Sequence, residues 1–211
     1  MANERIARLV GHTFGDGYIH VTKFYLIYTN SNNSLHEYVT RLISEEFGEF
    51  TVCQRKSGKG VRQQQFSAKV GRTLYSYGAP KGSKIHQNLS VPEWIRTGSQ
   101  KIKASFLSAV FDDDGYFRED RNRMAIVLKN AKIKHLEESL VRYLQEISQL
   151  LNDLGIQTSE VKHDQEKTKS NNEIAVSKRV YITNKVNFSQ FRDLIPIQHP
   201  EKQIKLSKMY I

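Results

Sequence analysis

An internal repeat constrains the fold of this chain more than any other feature. Residues 8–18 (RLVGHTFGDGY) resemble residues 106–116 (FLSAVFDDDGY), which lie 98 positions later. The match aligns Asp16 with Asp114 and places the same Gly-Tyr pair after both acids. A repeat of this length predicts two copies of one structural unit, related by a pseudo-two-fold axis within a single chain.

The segments that follow each copy also correspond, and their hydrophobic patterns predict the same order of elements in both halves. In the first half we predict helices at 6–16, 34–47 (with Ser34 as N-cap) and 72–77, and strands at 24–30, 49–55 and 61–70. In the second half we predict helices at 102–114, 133–154 and 184–194, and strands at 124–130, 156–163 and 173–183. Polar stretches at 56–60 and 164–172 are predicted to be hairpin loops. The chain is therefore predicted to be an α+β protein with two αββαββα repeats, residues 1–97 and 98–211.

One face of each repeated helix carries small residues. Ala7, Gly11 and Gly15 are spaced four apart in the first helix, and Ser105 and Ala109 are spaced four apart in the second. Residues at this spacing share a side of the helix, and small side chains let two helix backbones approach closely. Glycine costs about 1 kcal/mol relative to alanine inside a helix, so two glycines in one helix favour a packing role. We therefore expect the two repeated helices to pack against each other.

Asp16 and Asp114 lie at the C-terminal ends of these helices, each directly before a glycine suited to a left-handed helix end. Because a helix C-terminus carries partial negative charge, a carboxylate there is disfavoured by about 0.3–1 kcal/mol. A single Asp-Gly pair would be an ordinary turn, whereas two at matching positions favour a bound cation. If the small faces pack, the two carboxylates lie close together. With nearby main-chain carbonyls they would form an oxygen site suited to Mg²⁺.

The composition favours a polyanionic partner. The chain has 32 Lys and Arg against 22 Asp and Glu, a net charge of +10 and a pI near 9.6. An excess of this size favours nucleic acid over a surface that is basic only for solubility. The sequence has no apolar run long enough to span a bilayer and no apolar signal core at its start, so we expect an intracellular location, in the cytoplasm or nucleoid or in an organelle. The single cysteine, Cys53, excludes an internal disulfide and a Cys-based zinc site.

Residues 9–17 (LVGHTFGDG) and 107–115 (LSAVFDDDG) resemble two copies of the motif that names the LAGLIDADG homing endonuclease family. The glycine of the third position is kept as Gly11 and becomes Ala109, and the acid of the sixth position is Phe14 in the first copy and Asp112 in the second. The essential acid and final glycine are intact in both. The resemblance covers essentially the whole chain. It is greatest to single-chain, two-repeat enzymes encoded by archaeal or organellar introns, and no flanking intein splicing segments are evident.

The resemblance implies a fold and an activity. Each half would place a saddle-shaped antiparallel sheet in the DNA major groove, and the two motif helices would form the interface between the halves. A monomer would hydrolyse one phosphodiester in each strand across the minor groove and leave short 3′ overhangs. The implied cofactor is Mg²⁺ or Mn²⁺, with Ca²⁺ binding without supporting cleavage. The implied metal ligands are the carboxylates of Asp16 and Asp114 and, in addition, the main-chain carbonyls of Gly15 and Asp113.

Family sites also carry a lysine near each metal. Lys84 and Lys202 stand at corresponding places in the two halves, and we expect them to polarise solvent or stabilise developing charge. The alternative is that they are ordinary basic surface residues. Further candidates for water positioning are Gln54 and Arg55 in the first half and Lys162 or His163 in the second.

Side chains that alternate along the strands are candidates to read bases, and lysines in loops are candidates to contact phosphates. The alternative for each is a solvated sheet face. In the first half the candidates are His20, Thr22, Lys23, Tyr25, Tyr28, Arg55, Lys59, Arg62, Gln64 and Lys69. In the second half they are Arg118, Arg121, Arg123, Lys129, Lys162, Lys178, Arg179 and Tyr181. Because the halves differ at most of these positions, the double-stranded target is expected to be long and asymmetric, or only partly palindromic.

Two other functions remain open. One is an RNA-binding maturase that assists intron splicing, and the other is a DNA-binding module that keeps the fold without cutting. Intact acids in both copies argue against the second, while only an RNA-binding or splicing assay separates the first from a nuclease.

Overall fold

The computed structural model describes residues 2–48, 52–56, 61–120 and 123–209, and it shows two similar α+β halves. The first half comprises α1 (Glu4–Phe14), β1 (Gly17–Ile19), β2 (Leu26–Thr29), α2 (Asn33–Phe47), β3 (Cys53–Lys56), β4 (Arg62–Phe66) and α3 (Ala68–Ser76). A 3₁₀ turn (Lys84–His86) and the short helix α4 (Glu93–Arg96) lead to the second half. That half comprises α5 (Gln100–Asp113), β5 (Gly115–Asp120), β6 (Arg123–Ile133), α6 (Glu137–Asp153), β7 (Lys162–Thr168), β8 (Ile174–Ile182), α7 (Lys185–Leu194) and α8 (Pro200–Lys208).

Each half contains one four-stranded antiparallel sheet, and the two sheets have the same order, β1-β2-β4-β3 and β5-β6-β8-β7. The glycine after each acid begins an edge strand, since Gly17 pairs with Tyr28 and Gly115 pairs with Leu128. One face of each sheet packs on the helices through buried side chains such as Leu26 and Ile126. The predicted α+β class and the repeated αββαββα order are confirmed, with α8 as an addition that the sequence patterns do not indicate.

The motif helices α1 and α5 pack against each other through the predicted small residues. A Cβ added to Gly11 would lie 2.5 Å from the main-chain oxygen of Phe106 and 2.8 Å from the Cβ of Ala109. Below this contact, Phe14 packs edge-on against Phe106 and stacks on Tyr143, so the core continues from one half into the other. This close approach brings the two helix ends to the same edge of the molecule.

Several predicted boundaries were wrong. The N-cap of α2 is Asn32, whose side chain accepts a hydrogen bond from the Leu35 amide, and not Ser34. The helix predicted from residue 133 begins at Glu137, because β6 continues to Ile133. The strand predicted at 61–70 ends at Phe66, and α3 follows.

The largest error concerns the edge strand β7. Residues 164–172 were predicted to be a loop and 156–163 a strand, whereas β7 covers Lys162–Thr168. Its sequence, KHDQEKT, is polar at every position and half-buried or exposed throughout, so no apolar alternation marks it. No helix in the described part of the chain is long and apolar enough to cross a membrane.

Candidate functional site

Asp16 and Asp114 lie where α1 and α5 end, and both have an asparagine partner. Asp16 follows the C-cap Gly15, and Asp114 is itself the C-cap of α5. The Asn30 side-chain amide donates to Asp16 Oδ2 at 2.7 Å, and the Asn130 amide donates to Asp114 Oδ2 at 3.4 Å. Asn30 follows Thr29 of β2, and Asn130 follows Lys129 of β6, so the two asparagines occupy corresponding places in the two sheets. They are absent from the predicted site, although both apolar strand segments end in Asn.

Each helix end also receives a lysine from its own half. Lys84 Nζ donates to the main-chain carbonyls of Thr13 at 3.1 Å and Gly17 at 2.6 Å, and also to that of Gly15. Lys202 Nζ donates to the carbonyls of Phe111 at 2.9 Å, Asp112 at 2.5 Å and Asp113 at 3.4 Å. A cation at a helix C-terminus is favoured by the helix dipole and satisfies the unpaired carbonyls. The structure therefore brings both predicted lysines to the two acids, which leaves their catalytic role a proposal.

The two acids open into two separate clefts that combine residues from both halves. One cleft is lined by Gly15, Lys84, Asp114 and Asn130, among others. The other contains Asp16, Asn30, Asp113 and Lys202 and also reaches Asp114. Each cleft thus joins an acid from one half to a lysine and a helix-end carbonyl from the other half.

The acids are held partly protonated near neutral pH. Burial raises the pKa of Asp16 to about 6, and the negative charge of Asp113 contributes in the same direction. Burial, with the charge of Asp16, raises the pKa of Asp114 to about 7. Burial lowers the pKa of Lys84 and of Lys202, partly opposed by the nearby aspartates. A cation of higher charge would relieve the repulsion between the acids, and perturbed acids in a cleft mark a candidate functional site.

The donor set fits a hard divalent cation. Two carboxylates and the carbonyls of Gly15 and Asp113 are all oxygen donors, and no cluster of three His, Cys, Asp or Glu suited to a metal occurs among the described residues. Mg²⁺ commonly binds through one or two carboxylates with substrate phosphates, without a complete protein cage. The residues present therefore fit a metal whose coordination is completed by water or by a bound phosphate. Those carbonyls accept from lysines here, so a metal would share or displace these hydrogen bonds.

The side chains of Asp112 and Asp113 are held by partners away from the carbonyls that Lys202 contacts. Asp113 Oδ1 accepts from the Tyr28 hydroxyl at 2.7 Å, and its Oδ2 pairs with His12 Nδ1 at 3.0 Å and with the Asp16 amide at 3.1 Å. Asp112 Oδ1 accepts from the main-chain amides of Gln198 and His199 at 2.8 and 2.9 Å. Asp113 thus fastens α5 to the first half, and Asp112 fastens the segment that leads to Lys202.

Among the further candidates for water positioning, Gln54 lies on the helix-facing side of its strand and not on the uncovered face. Gln54 pairs with Gln64, so both side chains lie on the face that packs against α2, where Gln64 contacts His36 at 3.0 Å. Arg55 lies on the opposite, uncovered face. Likewise, His163 pairs with Lys178 on the helix side of the second sheet, whereas Lys162 pairs with Arg179 on the uncovered face.

In the first sheet, the side chains of β2 and β4 that were predicted to read DNA lie on the face that packs against the helices. Tyr28 and Gln64 are buried against the helices, at 1% and 2% exposure, and Arg62 bonds Asn33 at the start of α2. Lys69 lies in α3. The uncovered face instead carries Gln63 and Gln65, which line a small cleft with Arg55 and Tyr25. The candidates His20, Thr22 and Lys23 lie in the β1–β2 hairpin, where His20 Nδ1 accepts from the Thr22 and Lys23 amides at 3.3 and 3.2 Å.

In the second sheet most candidates share one face. Register places Arg118, Lys129, Lys162, Arg179 and Tyr181 on the face away from the helices. Asp164 pairs with Lys129 at 2.5 Å and with Arg179 at 2.7 Å, so two of these cations are fixed by an acid. Lys178 is on the helix side, where it pairs with Glu137 at 2.7 Å, which corrects its predicted role. Lys59, Arg121 and the side chain of Arg123 lie outside the described residues.

The raised pKa of Asp114 predicts an unusual dependence of stability on pH. Its pKa is about 7 in the folded protein and 3.8 without the fold, so the folded state binds more protons between these values. In EDTA, the free energy of unfolding should therefore fall as pH rises from 5 to 8. Asp114→Asn removes this cost, and we expect it to stabilise the metal-free protein at pH 8 by about 1–3 kcal/mol.

Urea unfolding in EDTA at four pH values between 5 and 8 measures this effect. Asp153→Asn is the matched control, because the Lys103 hydrogen bond lowers the Asp153 pKa and that carboxylate titrates below this range. Equal pH slopes for the wild type and Asp114→Asn would show that Asp114 is not held in a strained, protonated state.

Comparisons with known proteins agree with this architecture. Residues 101–196 match the family model of the LAGLIDADG-like domain. The chain is 28% identical over 218 residues to the tRNA-splicing ligase RtcB of Pyrococcus abyssi, covering 95% of this chain and 23% of that protein. It is 24% identical over 234 residues to the RNA polymerase subunit Rpo1N of Methanocaldococcus jannaschii, covering 96% of this chain and 16% of that protein. The chain thus spans about a fifth of the length of these curated relatives.

Two solved structures share the fold over nearly the whole chain. The homing endonuclease I-DmoI in complex with DNA and Ca has a TM-score of 0.59 at 15% identity, covering 95% of this chain and 97% of that one. The N-terminal LAGLIDADG domain of DUF199/WhiA has a TM-score of 0.58 at 13% identity, covering 94% and 85%. The predicted fold is therefore confirmed, and the family model matches the second half of the chain.

Proposed function

We propose that this chain is a LAGLIDADG protein and acts as a site-specific double-strand DNA endonuclease. One observation carries the proposal: two buried acids, Asp16 and Asp114, lie at paired helix ends, in two clefts that each contain a lysine. A structural pair of acids would gain little from mutual burial at the negative ends of two helices. A nuclease requires such an arrangement once for each strand. Because one chain supplies both clefts, we propose that it acts as a monomer, cutting across the minor groove to leave short 3′ overhangs.

The residues of the two clefts have distinct proposed roles. Asp16 and Asp114 would hold Mg²⁺ or Mn²⁺ together with the carbonyls of Gly15 and Asp113. When bound, such a cation supplies positive charge beside the scissile phosphate and acidifies nearby water. Lys84 and Lys202 place ammonium groups where negative charge develops on the phosphate. Structures of I-DmoI include complexes with DNA and Ca, and with DNA and Mn, which supports divalent metal use in this fold.

Asn30 and Asn130 orient the carboxylates. Each amide donates to one oxygen of its acid, so the other oxygen would be the one that binds a cation. A carboxylate held in one rotamer by a hydrogen bond loses less conformational freedom when it binds a cation. These asparagines are therefore proposed to be positioning residues for Asp16 and Asp114.

The uncovered faces of the two sheets differ in their chemistry, which defines the proposed target. The first sheet presents the amides of Gln63 and Gln65, and glutamine pairs bidentately with adenine. The second presents the cation of Lys162, and lysine pairs with guanine. We therefore propose an asymmetric double-stranded target, with adenines favoured beneath the first sheet and guanines beneath the second.

The curated relatives suggest that this chain corresponds to a separate unit within longer proteins. The same segment, nearly the whole of this chain, is shared with a ligase and with a polymerase subunit, and it makes up only 23% and 16% of those proteins. Proteins named for different activities do not need a common segment for those activities. We therefore propose neither RNA ligation nor transcription for this chain.

A DNA-binding module without cleavage is the second candidate, because the WhiA LAGLIDADG domain has the same fold. Cleavage selection distinguishes the two. A duplex DNA library with a randomised central stretch is incubated with the protein and Mg²⁺, and new ends are captured and sequenced. The proposal predicts paired breaks with short 3′ overhangs at an asymmetric motif, and none in EDTA. Motif enrichment in a pull-down without new ends would support the binding module instead.

A further inference from the structure

A completely buried lysine outside the two clefts has no role in the proposed chemistry. Lys132, on β6 of the second half, has 0% exposure and is among the largest fully buried side chains. Among the described residues, no carboxylate forms an ion pair with it. Its Nζ donates instead to the main-chain carbonyl of Lys84, which belongs to the first half.

Burying an ammonium for a single carbonyl costs free energy. An apolar side chain of similar length would fill the same space without the desolvation penalty. The cost is visible in Lys132 itself, because burial and the charge of Lys84 lower its pKa to about 8. The hydrogen bond that this lysine makes therefore gives a better explanation of its position.

That hydrogen bond fixes one end of Lys84. The 3₁₀ turn at Lys84–His86 belongs to the first half of the chain but packs against β6 of the second half. Lys132 binds the Lys84 carbonyl, while the Lys84 ammonium reaches the carbonyls of Gly15 and Gly17. Lys84 is thus held at both ends, and its position depends on β6.

The other lysine is secured differently. The segment before Lys202 is tied by Asp112, which accepts from the amides of Gln198 and His199 within the same half. No counterpart of the Lys132 contact occurs for Lys202 in the described part of the chain. Removing Lys132 should therefore affect one cleft and leave the other unchanged.

We propose that Lys132 is a positioning residue that sets the Lys84 ammonium in the cleft of Asp114, so that the second half controls cleavage of one DNA strand. This inference rests on the proposed nuclease function. It assigns a task to a buried residue of β6 whose ammonium contacts the Lys84 carbonyl.

Strand-resolved cleavage tests the inference. Each strand of a selected target is labelled separately, and single-turnover rates are measured with Mg²⁺ for the wild type, Lys84→Met and Lys132→Met. We expect Lys132→Met to slow the strand that Lys84→Met slows, by about 10- to 100-fold, as misplacement of a reacting group does. The other strand should change less than about twofold, and nicked DNA should accumulate because one strand lags. DNA affinity should not change.

The double variant separates positioning from a general structural role. If Lys132 acts through the Lys84 ammonium, Lys84→Met with Lys132→Met should cut no more slowly than Lys84→Met alone. Lys134→Met is the matched control, since Lys134 is exposed nearby and pairs with Glu166. Lys132→Gln keeps an N–H donor, so its cleavage rate should lie between those of the wild type and Lys132→Met. This variant replaces Lys132→Met in the test if the methionine variant folds poorly.

Equal slowing of both strands, or additive effects in the double variant, would overturn the role of Lys132 and leave the nuclease proposal standing. A wild type that cuts neither strand of any selected DNA would instead refute the proposed function.

Discussion

Asp16→Asn and Asp114→Asn are each expected to abolish formation of linear DNA from a plasmid that carries the target, while DNA binding stays within about threefold. Asparagine keeps the size of the side chain but removes the charge that would hold a divalent cation. We expect the rate of double-strand cutting to fall by about 10³-fold or more, which corresponds to at least about 4 kcal/mol of transition-state stabilisation. Binding is preserved because it depends on the sheets and on phosphate contacts.

Gel analysis of supercoiled, nicked and linear DNA measures cutting, and fluorescence anisotropy in Ca²⁺ measures binding. Asp193→Asn is the control, because Asp193 is an exposed carboxylate of α7 that pairs only with the neighbouring Arg192 among the described residues. Full linearisation by either active-site variant would show that two acids, one from each half, are not required. Loss of binding together with cutting would show that the acids support the fold and not the chemistry.

Gly11→Val is expected to cost about 3 kcal/mol of stability, near the upper range for overpacking in a well-packed core. The reason is the close approach of α1 and α5, where an added Cβ would lie 2.5 Å from the Phe106 carbonyl oxygen. Even Gly11→Ala should destabilise the protein. The gain of about 1 kcal/mol in helix propensity is smaller than the cost of moving a backbone carbonyl in the neighbouring helix.

Urea unfolding compares these variants with the wild type. Lys101→Val, at an exposed position of α5, is the control that reports the helix propensity of valine without an interface, and it should change stability by less than about 0.5 kcal/mol. Gly11→Val should also cut more slowly than Gly11→Ala, because separated helices separate the two acids. A stable Gly11→Val variant with wild-type activity would contradict the close packing of the motif helices.

Much of the site follows from the sequence because the repeat identifies it twice. The acids, the small residues between the helices and the two lysines occupy matching positions in both halves, and the structure brings them together. Asn30 and Asn130 could have been found by the same comparison, since each ends the corresponding apolar segment. What the sequence cannot supply is the partner of a side chain that crosses between halves. Asp113 reaches Tyr28 and His12, and Lys132 reaches Lys84, through contacts that exist only after packing.

The uncovered face of the first sheet was harder to predict. Residues 62–65 (RQQQ) are all polar, so alternation alone does not decide which of them face the helices. The apolar Phe66 shows which face of β4 is buried, because this residue is only 1% exposed. Gln64, two residues earlier, lies on the same face. The edge strand β7 fails for a related reason, since an exposed strand needs no apolar residues to pair with its neighbour. Polar strands at an exposed surface therefore leave a weaker pattern than the helices that form the core.

The stability of the interface and the reactivity of the clefts have a common origin. Arg8 contacts Tyr38 and the Pro196 carbonyl, both at 2.5 Å, and also Ser108, so α1 is tied to both halves by one buried side chain. These contacts, together with the small residues, keep the two acids buried, and burial raises the pKa of both. The same packing that costs stability at Asp16 and Asp114 prepares oxygen donors for a cation.

The most direct measurement is anomalous diffraction from a crystal of the protein with its selected DNA and Mn²⁺. We expect manganese peaks bonded to oxygens of both Asp16 and Asp114, each next to a backbone phosphate of one strand. Peaks elsewhere in the complex, or a bound duplex with both carboxylates distant from any phosphate, would contradict it.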